Sequence, residues 1–178
     1  MKVEALNSDQ HRAELEGFFA ANISEDAGRV PVLPRANDPH RGHRVHLLAV
    51  REDGHIVAGL FAAPPILEVA EMSMTMKAPP REAGAAALTD FVMLYAIATE
   101  NKRRRKGLGA LLLSDLHERV GATTAHTIYG VCAADSVEFY RAQGYAVQER
   151  NEPLHMAWGT APMRFGIEGD AQWFIRRV

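Results

Sequence analysis

Every side chain from Lys102 to Lys106 is a cation, and the run ends in Gly107-Leu108-Gly109. Glycine lets an anion approach the backbone, and Lys and Arg add charge-assisted donors, so the chemistry this stretch suits is phosphate binding. Leu108, Leu111, Leu112 and Leu116 follow at helical spacing and predict a helix beginning near Gly107 and ending at Gly121. Its first N–H groups and positive dipole end would point into the loop. The spacing is neither Gly-x-x-x-x-Gly-Lys-Ser/Thr nor Gly-x-Gly-x-x-Gly, so glycines alone identify no nucleotide site. The formal net charge of -2 rules out a general attraction to nucleic acid or anionic lipid and confines basic recognition to this stretch.

Other chemistry-bearing residues have bland readings beside the sharp ones. Cys132 could carry an acyl group, yet a lone Cys in the apolar strand pattern Thr127–Cys132 reads as a small core residue. His40, His43 and His46 are spaced in threes across a loop-to-strand transition, which implies no fixed ligand geometry, so no metal is expected. Trp158, Phe165, Trp173 and Phe174 are candidates for the wall of an acceptor pocket, a homodimer contact or plain core, with core expected for at least two. Cys132 is the only cysteine, which fits a reducing compartment. The start MKVEALNSDQHRAEL has no apolar signal run, and no stretch approaches the roughly 20 apolar residues of a membrane span, so a cytoplasmic protein is expected.

The elements that must position these residues form one expected domain over 1–178, a length that can bury a sizeable core. Lys2–Leu6 reads as a strand, and Ser8 or Asp9 as the cap of a helix carrying Leu15, Phe18 and Phe19. A long irregular connection covers 22–43. Val45–Arg51 and His55–Ala62 flank Glu52-Asp53-Gly54, a hairpin signal, and Gly59 marks a bulge or a close backbone approach. Met72, Met74 and Met76 alternate with Ser73 and Thr75 as an extended, core-packed piece, and Pro79-Pro80 with the Gly84-Ala run reads as a second connection. Phe91–Ala98 is a continuous apolar run suited to a central, doubly covered strand. Asp135 with Glu138 has capping-box spacing for a helix running to Gly144, and Tyr145–Arg150 and Gln172–Val178 read as strands.

The run Leu94–Gly109, with Arg104-x-x-Gly107-x-Gly109, resembles the fourth strand and Gln/Arg-x-x-Gly-x-Gly/Ala loop of the GNAT superfamily of N-acyltransferases. Asp135-Ser-Val-Glu-Phe-Tyr-Arg-Ala-Gln-Gly-Tyr145 resembles the family's Phe-Tyr-x-x-x-Gly-Phe helix at the expected distance. The likeness covers about Val45 to Gln148, with an unusual insertion between Pro64 and Thr89. It implies an α+β fold: a mixed, mostly antiparallel central sheet flanked by helices and splayed at its fourth and fifth strands. It also implies acetyl-CoA as co-substrate, with Ile97, Ala98 and Thr99 pairing with the pantetheine arm. The amides of Arg104, Arg105, Lys106, Gly107, Leu108, Gly109 and Ala110 would bind pyrophosphate, and Arg141 would reach the 3'-phosphate.

That resemblance makes Tyr140 the general acid that reprotonates the thiolate. Free thiol and phenol differ by only about 2 kcal/mol in proton affinity. A lysine-like acceptor amine would cost about 4.6 kcal/mol to hold neutral at pH 7, so a base is useful. The family's fifth-strand Glu is Ile128 here, which leaves Glu100 as first candidate, ahead of Asp90 and His126. Glu100 also reads as an ion-pair partner of the adjacent basic cluster. Ala133 stands where many members carry Asn. The function implied is N-acetylation of a primary amine, on a small molecule or peptide, by direct transfer in a ternary complex. The alternatives are a catalytically silent CoA-binding module and a basic-patch nucleic-acid binder.

Overall fold

The structure, a computed structural model, describes residues 1–23, 32–34, 44–75, 81–167 and 169–178, the side chains of 72–75 and 81 excepted. In chain order the elements are β1 Val3–Ala5, α1 Asp9–Asn22, β2 His46–Glu52, β3 His55–Ala63, α2 Ile66–Thr75, α3 Arg81–Asp90, β4 Phe91–Thr99, α4 Leu108–Gly121, β5 Thr127–Cys132, α5 Val137–Ala142, β6 Ala146–Val147, β7 Leu154–Trp158, β8 Ala161–Phe165 and β9 Gln172–Arg177. The chain divides into two units, Met1–Ala62 with Leu94–Arg119, and Ala63–Met93 with Val120–Val178. Seven of the strands belong to a larger sheet, with β1-β2-β3 and the Leu94–Thr99 part of β4 in order in the first unit and β5-β9-β6 in the second; β7 and β8 pair separately.

In the first unit, β1 runs antiparallel to β2 and β2 to β3, with Val3 opposite Val50 and Glu52 opposite His55. The expected hairpin closes through Asp53 and Gly54, both at positive φ (49° and 83°), the conformation their residue types tolerate. The strand irregularity falls between Val50 and Arg51 rather than at Gly59. Gly59 is instead a close approach, because an added Cβ would lie 2.5 Å from Leu15 Cδ1 of α1. Ser8 caps α1 by accepting from the His11 N–H at 3.1 Å, and Leu15 and Phe19 are its buried residues. In α4 the leucine stripe buries Leu108, Leu112 and Leu116 together with Leu113, whereas Leu111 is only half-buried. Each fully buried leucine stabilises by about 1.5–3 kcal/mol.

His46 is buried on β2, and desolvation, followed by the nearby Arg119, pushes its imidazole down to about 4, with Asp115 opposing. The unfolded chain therefore takes up this proton near pH 6.5 and the folded chain only near 4. Stability is present above pH 6.5 and declines as pH falls toward 4, by about 3 kcal/mol at most. Urea denaturation at pH 7.5 and 4.5 should show a smaller acid loss for His46→Leu than for wild type. An equal loss in both would show that His46 does not report the acid limb.

In the second unit, β9 is flanked by antiparallel β5 and β6, with Tyr129 opposite Ile175 and Ala146 also opposite Ile175. Ala83, Ala87, Phe91, Tyr129, Leu154, Trp158 and Trp173 form its core, so three of the Trp/Phe set, Trp158, Trp173 and Phe174, are interior. Several sequence expectations are corrected here. The segment at Met72 and Met74 is helical, within α2, and not extended; Met76 and Pro79-Pro80 lie outside the described residues. Pro65 opens α2, its carbonyl accepting from Val69 N–H at 3.0 Å. The Gly84-Ala stretch is α3, where alanine's helix preference and the burial of Ala83 and Ala87 one turn apart override a single glycine. β4 alternates buried and half-buried positions instead of being covered throughout. Asp135 does not cap α5: it lies in a short turn, Ala134–Ser136, and accepts from Ser136 Oγ at 3.0 Å, so no capping box forms. The strand expected over Tyr145–Arg150 shrinks to β6. β7 and β8 are additional strands, their alternation masked in sequence by Pro162 and Arg164.

Candidate functional site

The basic loop lies in the first unit. After β4, Asn101–Arg103 make one turn of 3-10 helix; Arg104 is extended (φ -58°, ψ 154°), Arg105 takes positive φ (60°), and Gly107 takes φ 79° before α4 begins. A left-handed arginine costs roughly 1–2 kcal/mol, so the loop holds a conformation its residue type resists. Leu111 N–H is the first to reach back, to Gly107 O at 2.9 Å, and Arg104 N–H makes a long bond to Asn101 O at 3.4 Å. Among the described residues, the amides of Arg105 through Ala110 donate to no backbone carbonyl. Lys102, Arg104, Arg105 and Lys106 are exposed around them. Unpaired amides, a helix start and exposed cations together form a donor set suited to a polyanion.

Ile97, Ala98 and Thr99 end β4, Ala98 buried and the other two half-buried. Glu100 follows, half-buried, its N–H donating to Val57 O at 2.9 Å. The ion pair expected between Glu100 and the basic cluster is formed by a different carboxylate. Arg103 pairs with Glu52 of the β2–β3 hairpin, a residue the sequence showed only as part of a turn. His126, another base candidate, holds its Nδ1 3.0 Å from Asp90 O in the second unit.

Tyr140 lies in the second unit on α5 and is 5% exposed. Its ring stacks on Phe174 at 4.0 Å and meets the edges of Phe139 and Tyr145 at 5.1 and 5.7 Å. Burial, followed by Cys132 and Tyr145, raises its pKa well above the ordinary phenol value, so it keeps its proton through the neutral range. That is the state a proton donor requires. Burial, with Asp135 adding, pushes the Cys132 thiol up to about 11, so it stays protonated and is no nucleophile at neutral pH. Arg141 is exposed and paired with Glu138 at 2.9 Å. Ile128 is fully buried in β5. Among the described residues no group of His, Cys, Asp or Glu could hold a metal ion; His40 and His43 lie outside them. No helix among them is long and apolar enough to cross a membrane.

No protein-family model matches the sequence, and no curated protein is similar to it. Solved structures match in fold. A ribosomal-protein-alanine N-acetyltransferase from Brucella melitensis superposes with a TM-score of 0.64 at 13% identity, covering 100% of both chains. The Drosophila melanogaster polyamine N-acetyltransferase, which forms N-acetylagmatine, gives 0.63 at 15% identity over 99% of both. yncA from Salmonella typhimurium, solved with its cofactor acetyl-CoA, gives 0.64 at 14% identity, covering 99% of this chain and 93% of that one. The chain has the GNAT fold. In GNAT terms α2 and α3 fill the insertion between β3 and β4, and the basic loop follows the fourth strand as the sequence motif implied. The GNAT fold does not choose the acceptor, since proteins named for a protein substrate and for a polyamine match it equally well.

Proposed function

We propose that this protein is an N-acetyltransferase, one domain over 1–178, that moves the acetyl group of acetyl-CoA to a primary amine of a small molecule or peptide by direct transfer. The observation that carries this reading is the amide-lined loop with four exposed cations between β4 and α4 on a GNAT fold. The donor set suits the chemistry of the co-substrate's anionic end: amides from Arg105 to Ala110 for the pyrophosphate, with Lys102, Arg104, Arg105 and Lys106 adding charge. The backbone of Ile97, Ala98 and Thr99 would hold the pantetheine arm.

Acetyl-CoA supplies the acyl group and leaves as the free thiol. The residues of this chain do the rest. Glu100, at the end of β4, accepts the proton the amine must lose, directly or through water. A C–N bond forms as the C–S bond breaks, a β4 N–H stabilises the carbonyl oxygen, and Tyr140 gives its proton to sulfur. The lone thiol Cys132 suits a cytoplasmic setting and takes no part.

Calorimetric titration with CoA, followed by a thiol-release assay with acetyl-CoA and a panel of polyamines, amino acids and peptides, tests the reading. Amine-dependent release supports it. CoA binding without release for any amine favours the silent module suggested by Ala133 and Ile128. RNA or DNA binding at physiological salt that CoA fails to displace would overturn it.

A further inference from the structure

Among the cations of the loop, Arg103 is set apart. Its guanidinium turns back onto the hairpin and pairs with the Glu52 carboxylate, the two side chains 34% and 31% exposed. The hairpin that carries Glu52 is tied down beside it. Its neighbour Arg51 grips Glu4 of β1 and Glu14 of α1, and donates to the Gly54 carbonyl at 2.9 Å across the turn. The backbone pins the same segment from the other side: Glu100 N–H donates to Val57 O at 2.9 Å, and Arg103 N–H donates to Glu100 O at 2.8 Å. The turn at Asn101–Arg103 is therefore fixed to β3 where it begins and to the end of β2 where it finishes. Arg104 departs from that fixed point, and the strained backbone at Arg105 follows at once.

We infer that Glu52 is a positioning residue for the phosphate loop, acting through Arg103 to set the direction in which the amides of Arg105 to Ala110 face. The inference rests on the coenzyme A reading of that loop. Arg103 is then an anchor and not a phosphate ligand, which divides the basic run by role: one cation holds the turn and the four exposed ones meet the ligand.

The sign of one substitution separates positioning from plain electrostatics. Glu52 is a carboxylate beside a basic loop, so if it acted only as a charge, removing it would strengthen the local positive potential and tighten binding of a polyanion. If it positions, Glu52→Gln releases Arg103, and binding weakens in spite of the gain in potential. The expected result is a rise of about tenfold in the Kd for CoA, the effect of one charge-assisted contact. The KM for acetyl-CoA should rise in parallel with kcat within about twofold, since the chemical step is untouched. Arg103→Gln should do the same, and the double variant should be no worse than either single one. Hydrogen exchange at the Arg103 and Arg104 amides, which donate to Glu100 O and Asn101 O, should speed up in Glu52→Gln, while the charge-swapped pair Glu52→Arg with Arg103→Glu should restore slow exchange.

Binding of CoA by Glu52→Gln as tight as or tighter than by wild type overturns the inference and leaves the coenzyme A reading standing. If wild type itself fails to bind CoA, that reading falls. The exchange measurement still tests the anchor by itself, and unchanged exchange in Glu52→Gln overturns it.

Discussion

Tyr140→Phe is expected to lower kcat by about 10²- to 10⁴-fold, the usual contribution of a positioned acid, while the Kd for CoA stays within about twofold. The two effects separate because the proposed roles are separate. In the proposal the loop amides bind the nucleotide end, whereas the phenol acts only when sulfur leaves. The substitution removes one oxygen and keeps the ring that stacks on Phe174 at 4.0 Å, so the variant should fold with an unfolding midpoint close to wild type. Burial holds the Tyr140 proton, which makes it a donor at every pH from acid to mildly alkaline. Donation to sulfur leaves Tyr140 as a phenolate, which solvent must reprotonate before the next turnover. The proton moves as the thiolate forms, and the dry surroundings that penalise phenolate penalise thiolate as well. The alkaline limb of kcat should consequently lack a Tyr140 ionisation below about pH 10. Turnover of Tyr140→Phe equal to wild type across the pH range would remove this residue from the mechanism and return it to the core.

The second large effect is on stability. Trp158→Ala should cost about 3–5 kcal/mol, a large share of the 5–15 kcal/mol typical of a domain. Trp158 is fully buried on β7, its ring 5.2 Å from Phe165 and in one cluster with Ala83 and Ala87 of α3. The neighbouring turn is tight against α3, since a Cβ at Gly159 would sit 3.4 Å from the Ala86 Cβ. Little backbone can collapse into the space an indole leaves. The Nε1 donor, by contrast, is buried with no hydrogen-bond partner among the described residues. Trp158→Phe removes that unmet donor along with part of the volume, so the two terms oppose and its cost should be well below that of alanine. Urea denaturation of the two variants should therefore rank them far apart. An alanine variant within about 1 kcal/mol of wild type would mean that β7 and β8 contribute little to the fold.

The residues that were legible from the chain alone share a physical property: their conformation is decided by immediate neighbours. Asp53-Gly54 accepts positive φ, Ser8 caps by its own hydroxyl, and the leucines of α4 repeat with the helical period, so each appears in the structure where its sequence placed it. The basic glycine loop ahead of α4 belongs to the same class, because glycine spacing and a following helix start are local facts; its motif also carried the fold. Local rules failed where packing against distant segments outweighed them. Gly84 and the flanking prolines read as breakers, but Ala83 and Ala87 find the β7 side of the second unit's core, and the burial of that face sustains α3. β7 and β8 hid because their short alternation becomes meaningful only once Leu154 and Trp158 have a core to enter.

The basic run shows the boundary most clearly. Sequence alone determined that Lys102 to Lys106 and the two glycines make a basic glycine loop, and it gave five cations of equal standing. Tertiary structure decided that Arg103 belongs to Glu52, that Glu100 is left out of that pair, and that the amides from Arg105 to Ala110 have no backbone partner among the described residues. Charge and φ preference are properties of a residue and its neighbours. Which carboxylate an arginine meets depends on where a hairpin far along the chain comes to rest.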